Sequence, residues 1–249
     1  MLSNFCGGII LEMKTKFHKG KGKNQRFLGV EIEISGFSDR WDGEIRKVVK
    51  KWGGECKEDS SIDPHSSDSS ADTTMEITTA PASGDRFRKQ IKEICSVLKK
   101  AKATVNDSCG LHVHIDARDF EPNDIVKAEI VWGKVQRQMY KKVASYRRMS
   151  EFCVPRSPVS GLVRNLKTNL SQGSLDYFNN LSDEGRYYSL NFDALARFGT
   201  LENRQKEGTV DANEIIKWAE LNARIIDYIK EIPFKKALTL DRLSVKRFE

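Results

Sequence analysis

Four short stretches of this chain carry metal- or phosphate-competent side chains at alternate positions: Gly29-Val30-Glu31-Ile32-Glu33-Ile34, Thr74-Met75-Glu76-Ile77-Thr78, Gly110-Leu111-His112-Val113-His114-Ile115-Asp116 and Thr200-Leu201-Glu202-Asn203-Arg204. That alternation is the period of a β-strand. It lets Glu31, Glu33, Glu76, His112, His114, Asp116, Glu202 and Arg204 line one face of a sheet, with Val30, Ile32, Ile34, Met75, Ile77, Leu111, Val113, Ile115 and Leu201 on the other. Carboxylates gathered on one face repel one another and are costly to desolvate, so the pattern points to a metal-filled cleft. Alternate side chains emerge roughly 6.6 Å apart along a strand, a spacing at which two carboxylates can bind neighbouring magnesium ions through their oxygens. A single Glu-x-Glu would read as a solvent-facing strand. Glu202-x-Arg204 alone could be a local ion pair of little energetic value, or a metal ligand beside a phosphate-binding guanidinium. His112-x-His114 is a less ordinary surface decoration, and four segments sharing one face type favour a site.

The elements that must position these residues follow from hydrophobic spacing. Trp41, Ile45, Val48, Val49 and Trp52 predict an amphipathic helix with Ser38 or Asp39 as N-cap and Gly53-Gly54 as its stop. The Ser- and Asp-rich residues 59–73 read as a polar loop, and Pro81 ends the strand that carries Glu76. Phe87, Ile91, Ile94, Cys95 and Leu98 mark a second helix. Pro122 opens a third, in which Ile125, Ala128, Trp132, Val135 and Met139 recur every three or four residues. From about 150 to 185 the pattern is weak, with Pro155, Pro158, Gly161 and Gly173 suggesting loops. A strand near Tyr187 to Asn191 follows, and Ile215, Trp218, Ala219, Asn222, Ile225, Ile226 and Ile229 give a last helix.

With 249 residues, 39% of them hydrophobic and 31% charged, the chain reads as a soluble globular protein, most simply with one catalytic domain. No apolar run is long enough to span a bilayer. Phe5-Cys6-Gly7-Gly8-Ile9-Ile10-Leu11 lacks the flanks of a signal peptide and reads as an N-terminal strand. Five cysteines without a C-x-x-C pair argue against a disulfide framework and a cysteine zinc site, and fit a reducing cytoplasm. The net charge of +7 is concentrated between Lys14 and Arg26 and between Lys235 and Arg247, which reads more simply as two solvated basic ends than as a nucleic-acid surface. Neither Gly20-Lys21 nor Gly22-Lys23 is a phosphate loop, because no Ser or Thr follows the lysine.

Taken in order, Gly-x-Glu31-x-Glu33, Asp59-Ser60-Ser61-Ile62, Met75-Glu76-Ile77-Thr78, Cys109-Gly110-Leu111-His112-Val113-His114, Arg186-Tyr-Tyr-Ser-Leu-Asn191 and Gly199-Thr200-Leu201-Glu202-Asn203-Arg204 resemble the amidoligase family of the glutamine synthetase-like carboxylate-amine ligases. The resemblance runs from about residue 27 to 230, and Arg148 to Pro155 is similar to that family's Arg-rich stretch with its aromatic-Cys-x-Pro segment. Two positions depart from the pattern: Ser60 replaces a glycine and Asn203 an apolar residue.

What the resemblance implies is an α+β domain at residues 27–232, between a basic N-terminal arm (1–26) and a basic C-terminal tail (233–249). Its curved, largely antiparallel sheet would hold ATP and two or more magnesium ions, or manganese, on a concave polar face, with helices packed on the other. By the same resemblance Glu31, Glu33, Glu76, His112 and Glu202 would bind metal. His114, Arg204 and Arg186 would meet the nucleotide phosphates or the substrate, and Arg204, Arg186 and Glu202 would be catalytic. The implied reaction joins a carboxylate to an amine, small-molecule or peptide, through an acyl phosphate with release of ADP and phosphate. A catalytically inactive or nucleic-acid-binding relative, whose basic ends meet an acidic partner, stays open as an alternative. A zinc amidohydrolase is a weaker one, because only His18 and His65 remain as further histidines.

Overall fold

The structure, a computed structural model, describes residues 26–64, 73–156 and 186–249. The expected strand at Phe5–Leu11, His18, His65 and the weakly patterned residues from 157 to 185 lie outside them. In chain order the elements are β1 (Leu28–Ile34), α1 (Asp42–Lys51), β2 (Glu55–Lys57), β3 (Met75–Thr78), α2 (Gly84–Lys100), β4 (Gly110–Asp116), α3 (Pro122–Tyr140), β5 (Leu190–Asn191), α4 (Asp193–Phe198), β6 (Thr200–Glu207), α5 (Ala212–Glu231) and α6 (Phe234–Leu238). Short 3₁₀ turns at Asp39–Trp41, Tyr146–Met149, Glu151–Cys153 and Val245–Phe248 complete them.

The six strands form one open sheet in the order β2-β3-β1-β4-β6-β5, with every neighbouring pair antiparallel. Period-two alternation sets its two faces. Val30, Ile32, Ile34, Met75, Ile77, Leu111, Val113, Ile115 and Leu201 are each at most 1% exposed and belong to one hydrophobic core. On that apolar side α5 packs against β1 and β4, and α2 and α3 pack against α5. The result is a layer of helices on one face of an antiparallel sheet.

Local sequence explains how the elements end. Gly53 closes α1 with φ +83°, and a Cβ at Gly54 would lie 2.6 Å from the Thr78 carbonyl oxygen, so the turn into β2 requires glycine there. Neither Ser38 nor Asp39 caps α1: Trp41 N–H bonds Ser38 O at 2.9 Å, and the 3₁₀ turn satisfies the chain before the helix begins. α3 starts at Pro122, and the Glu121 N–H donates to the Asp124 carboxylate at 2.9 Å.

The segments read as basic ends are partly anchored. Arg26 bonds Asp119 and Asp227, at 2.8 and 2.7 Å. Beyond α5, Ala237, Leu243, Val245 and Phe248 are buried in the core, with Lys127 donating to the carbonyls of Lys230 and Ile232. The C-terminal stretch is thus not wholly a solvated tail; its apolar residues alternate with the lysines and arginines and turn inward.

Asn203, the polar residue where the family has an apolar one, is fully buried. Its amide donates to Asn222 Oδ1 at 2.9 Å, and Asn222 donates to the Trp218 carbonyl at 2.8 Å, so the departure is matched by a partner on α5. Asn222→Leu should strand the Asn203 amide and lower stability by about 1–3 kcal/mol. Denaturant unfolding checks this, and combining it with Asn203→Leu should recover part of the loss.

Candidate active site

The polar face of β3, β1, β4 and β6 floors a cleft of about 470 Å³. Pairing register brings its residues together: Glu31 lies opposite His112, Glu33 opposite Glu76, and Glu202 opposite His114. Like charges directly opposite each other destabilise a sheet, so the Glu33–Glu76 pair is a place where a cation would be favourable.

His112 sits among three carboxylates. Its Nδ1 is 2.9 Å from Glu31 and 3.7 Å from Glu202, and its Nε2 is 3.5 Å from Glu33. His114 Nε2 is 3.2 Å from the other Glu31 oxygen, and its Nδ1 is 3.0 Å from Thr200 Oγ1. Burial pushes the Glu31 carboxyl up, but hydrogen bonds from His112 and His114 outweigh it and hold it well below the ordinary carboxylate range. Burial and the nearby Glu31 charge push Glu76 up. His114 is pulled down by burial, yet its hydrogen bond to Glu31 and the charge of Glu202 leave it raised overall.

The backbone shapes the same floor. Gly110 N–H donates to Glu33 at 2.5 Å, while a Cβ on Gly110 would come within 2.9 Å of His112 Nε2 and 3.1 Å of the Arg147 guanidinium. The glycine of Cys109-Gly110-Leu111 thus leaves room for three functional groups to converge. On the β6 side, Glu202 accepts from Arg204 Nη1 at 2.5 Å and from Asn191 Nδ2 at 2.7 Å, and Arg204 Nε donates to the Phe152 carbonyl at 3.1 Å.

Two donor triads result: Glu31, His112 and Glu202 can place one ligand atom each within 4.8 Å of one another, and so can Glu33, Asp59 and Glu76. The second is all carboxylate, a donor set suited to a hard cation such as magnesium, and the first adds one imidazole. Every residue expected to bind metal falls in one of the two. Arg186 lines the cleft through Tyr187, whose hydroxyl it bonds at 3.1 Å. Asp116, placed on the same face by alternation, stands outside this cleft, engaged with the Arg118 side chain at 2.5 and 2.6 Å.

Sequence reasoning gave no role to Asp59, Asn191 or Arg147. The first two stood inside quoted motifs, but their partners come from other elements. Arg147 is 2% exposed, donates to the Arg204 carbonyl at 2.8 Å, lines the cleft, and its Nε has no hydrogen-bond partner among the described residues. Its only signal was the Arg-rich stretch beside it. The described cysteines, Cys56, Cys95, Cys109 and Cys153, are free thiols, and no described helix is long and apolar enough to cross a membrane.

An open antiparallel sheet with one helix-covered face and one acidic, arginine-bordered face defines a protein built to hold cations and anions side by side. A family model described as "Putative amidoligase enzyme" matches residues 48–226, and the chain belongs to that family, whose name is that of amide-bond-forming ligases. The match takes in Asp59, Glu76, His112, His114, Arg147, Arg186, Glu202 and Arg204; β1, with Glu31 and Glu33, precedes it and joins the site through its pairing with β3 and β4. No curated protein matches the chain.

Proposed function

We propose that the chain is an ATP-dependent carboxylate-amine ligase of the glutamine synthetase-like kind, working through an acyl phosphate with release of ADP and phosphate. The observation that carries this reading is the convergence in one cleft of two carboxylate-rich triads with the guanidinium groups of Arg147, Arg186 and Arg204. The helix-backed antiparallel sheet with its polar face also supports it.

Glu31, His112 and Glu202 would hold one magnesium ion and Glu33, Asp59 and Glu76 another. When bound, such ions neutralise phosphate oxygens and so make the terminal phosphorus open to attack. Arg204, fixed by Glu202 and the Phe152 carbonyl, would stabilise charge developing on the transferring phosphoryl group. His114, held by Glu31 and Thr200, would donate to a phosphate oxygen. A carboxylate oxygen attacks the terminal phosphorus as the bond to ADP breaks. The amine nitrogen then attacks the acyl carbon, phosphate leaves, and the nitrogen loses a proton.

A screen of carboxylate and amine pairs by mass spectrometry tests this. ADP release that depends on the carboxylate is expected, with amide formed in step, and a hydroxamate when hydroxylamine replaces the amine. Stoichiometric zinc in protein purified without added metal, together with amide hydrolysis lost on its removal, would overturn the reading.

A further inference from the structure

The metal cleft does not end at His114. A second chamber of about 360 Å³ continues from it along the same sheet face, sharing Glu31, His114, Arg197 and Phe198 as the boundary. Its character is different. Phe27, Leu28, Pro81 and Phe198 supply apolar surface, and Asp116, the acid at its edge, is already paired with Arg118.

Gly29 makes this space. On the polar face of β1 it occupies the next alternate position before Glu31 and Glu33, yet it carries no side chain. The backbone does not require glycine there: Gly29 is not among the positive-φ glycines, and an added Cβ would meet only Thr79 O at 3.7 Å and His114 Cβ at 3.9 Å, ordinary contacts. What the glycine leaves is open floor. Phe198, 62% exposed, stands at the boundary with its ring edge-on to His114 at 5.8 Å. A large exposed aromatic beside a glycine-floored hollow is surface on which a flat ring can stack.

We propose that this Gly29-floored chamber binds the base of the nucleotide, so that the phosphate chain runs past His114 onto the Glu31–His112–Glu202 triad. The assignment rests on the ligase reading above and deepens it. The reacting carboxylate and amine are charged and must lie among the arginines on the far side of His114, whereas an apolar hollow suits an uncharged planar group. Contiguity supplies the rest, because His114 and Glu31 border both spaces.

Calorimetric titration with ATP and with inorganic tripolyphosphate, each with magnesium, separates base from phosphate recognition. Wild-type protein should bind ATP more tightly than tripolyphosphate. Gly29→Val fills the floor with a residue suited to a strand, and should weaken ATP binding about tenfold or more, the scale of a lost base-stacking contact, while tripolyphosphate affinity stays within a factor of about two. Phe198→Ala, at an exposed position where loss of the ring does not open the core, should act in the same direction. Equal affinity of the two ligands for wild type, or unchanged ATP binding in both variants, would overturn the assignment and hand the chamber to the acceptor substrate. Equal weakening of both ligands would also overturn it. If neither ligand binds wild type, the ligase reading itself fails, an outcome distinct from failure of the chamber alone.

Discussion

Glu31→Gln should lower magnesium-dependent nucleotide affinity by about 100-fold or more, above the range for losing a mere partner of a metal ligand. Glu31 is the only side chain that touches both histidines, with one oxygen on each ring, and it also belongs to the Glu31–His112–Glu202 triad. The amide of Gln keeps the shape of the side chain but removes its charge, so the fold should survive while the cation loses a ligand. Glu33→Gln should act in the same direction through the other triad. Calorimetry with ATP and magnesium checks both variants, and wild-type affinity in Glu31→Gln would remove the metal assignment.

Arg204→Lys should lower turnover by about 100- to 1000-fold, the usual loss for one preorganised charge-stabilising donor. The guanidinium makes two fixed contacts, to Glu202 and to the Phe152 carbonyl, which a planar fork can hold while its other nitrogen faces substrate. A lysine ammonium is a point charge on a flexible stem and cannot reproduce that geometry. Steady-state kinetics on the pair found by screening reads the effect, expected mainly in kcat. Full activity in the lysine variant would place the transition-state charge elsewhere.

Much of this site was legible because strand alternation is strict. Glu31, Glu33, Glu76, His112, His114 and Glu202 could be assigned to one face without knowing the strand order, since period two leaves only two faces. The same rule overreached at Asp116, which shares the face but is turned to Arg118 two residues on, a local pairing that alternation does not describe. Asp59 and Arg147 were not readable as ligands. They sit on a loop and a 3₁₀ turn, and reach the cleft only because tertiary packing folds those segments over the sheet.

Helices with a full apolar stripe were likewise readable, whereas β2, α4 and α6 were not. At three, six and five residues, these elements are too short to show a period, and each exists because it packs on something already built. Asn203 shows the converse. Sequence marks it as a breach in the apolar face, and only the position of Asn222, nineteen residues later on α5, shows how the breach is closed.

The most direct measurement follows oxygen. With ¹⁸O in the carboxylate substrate, the phosphate released alongside ADP and amide should carry one ¹⁸O, because the oxygen that attacks phosphorus leaves with it when the amine displaces phosphate. AMP carrying the label, with unlabelled pyrophosphate, would show adenylation instead and contradict the acyl-phosphate reading of this face.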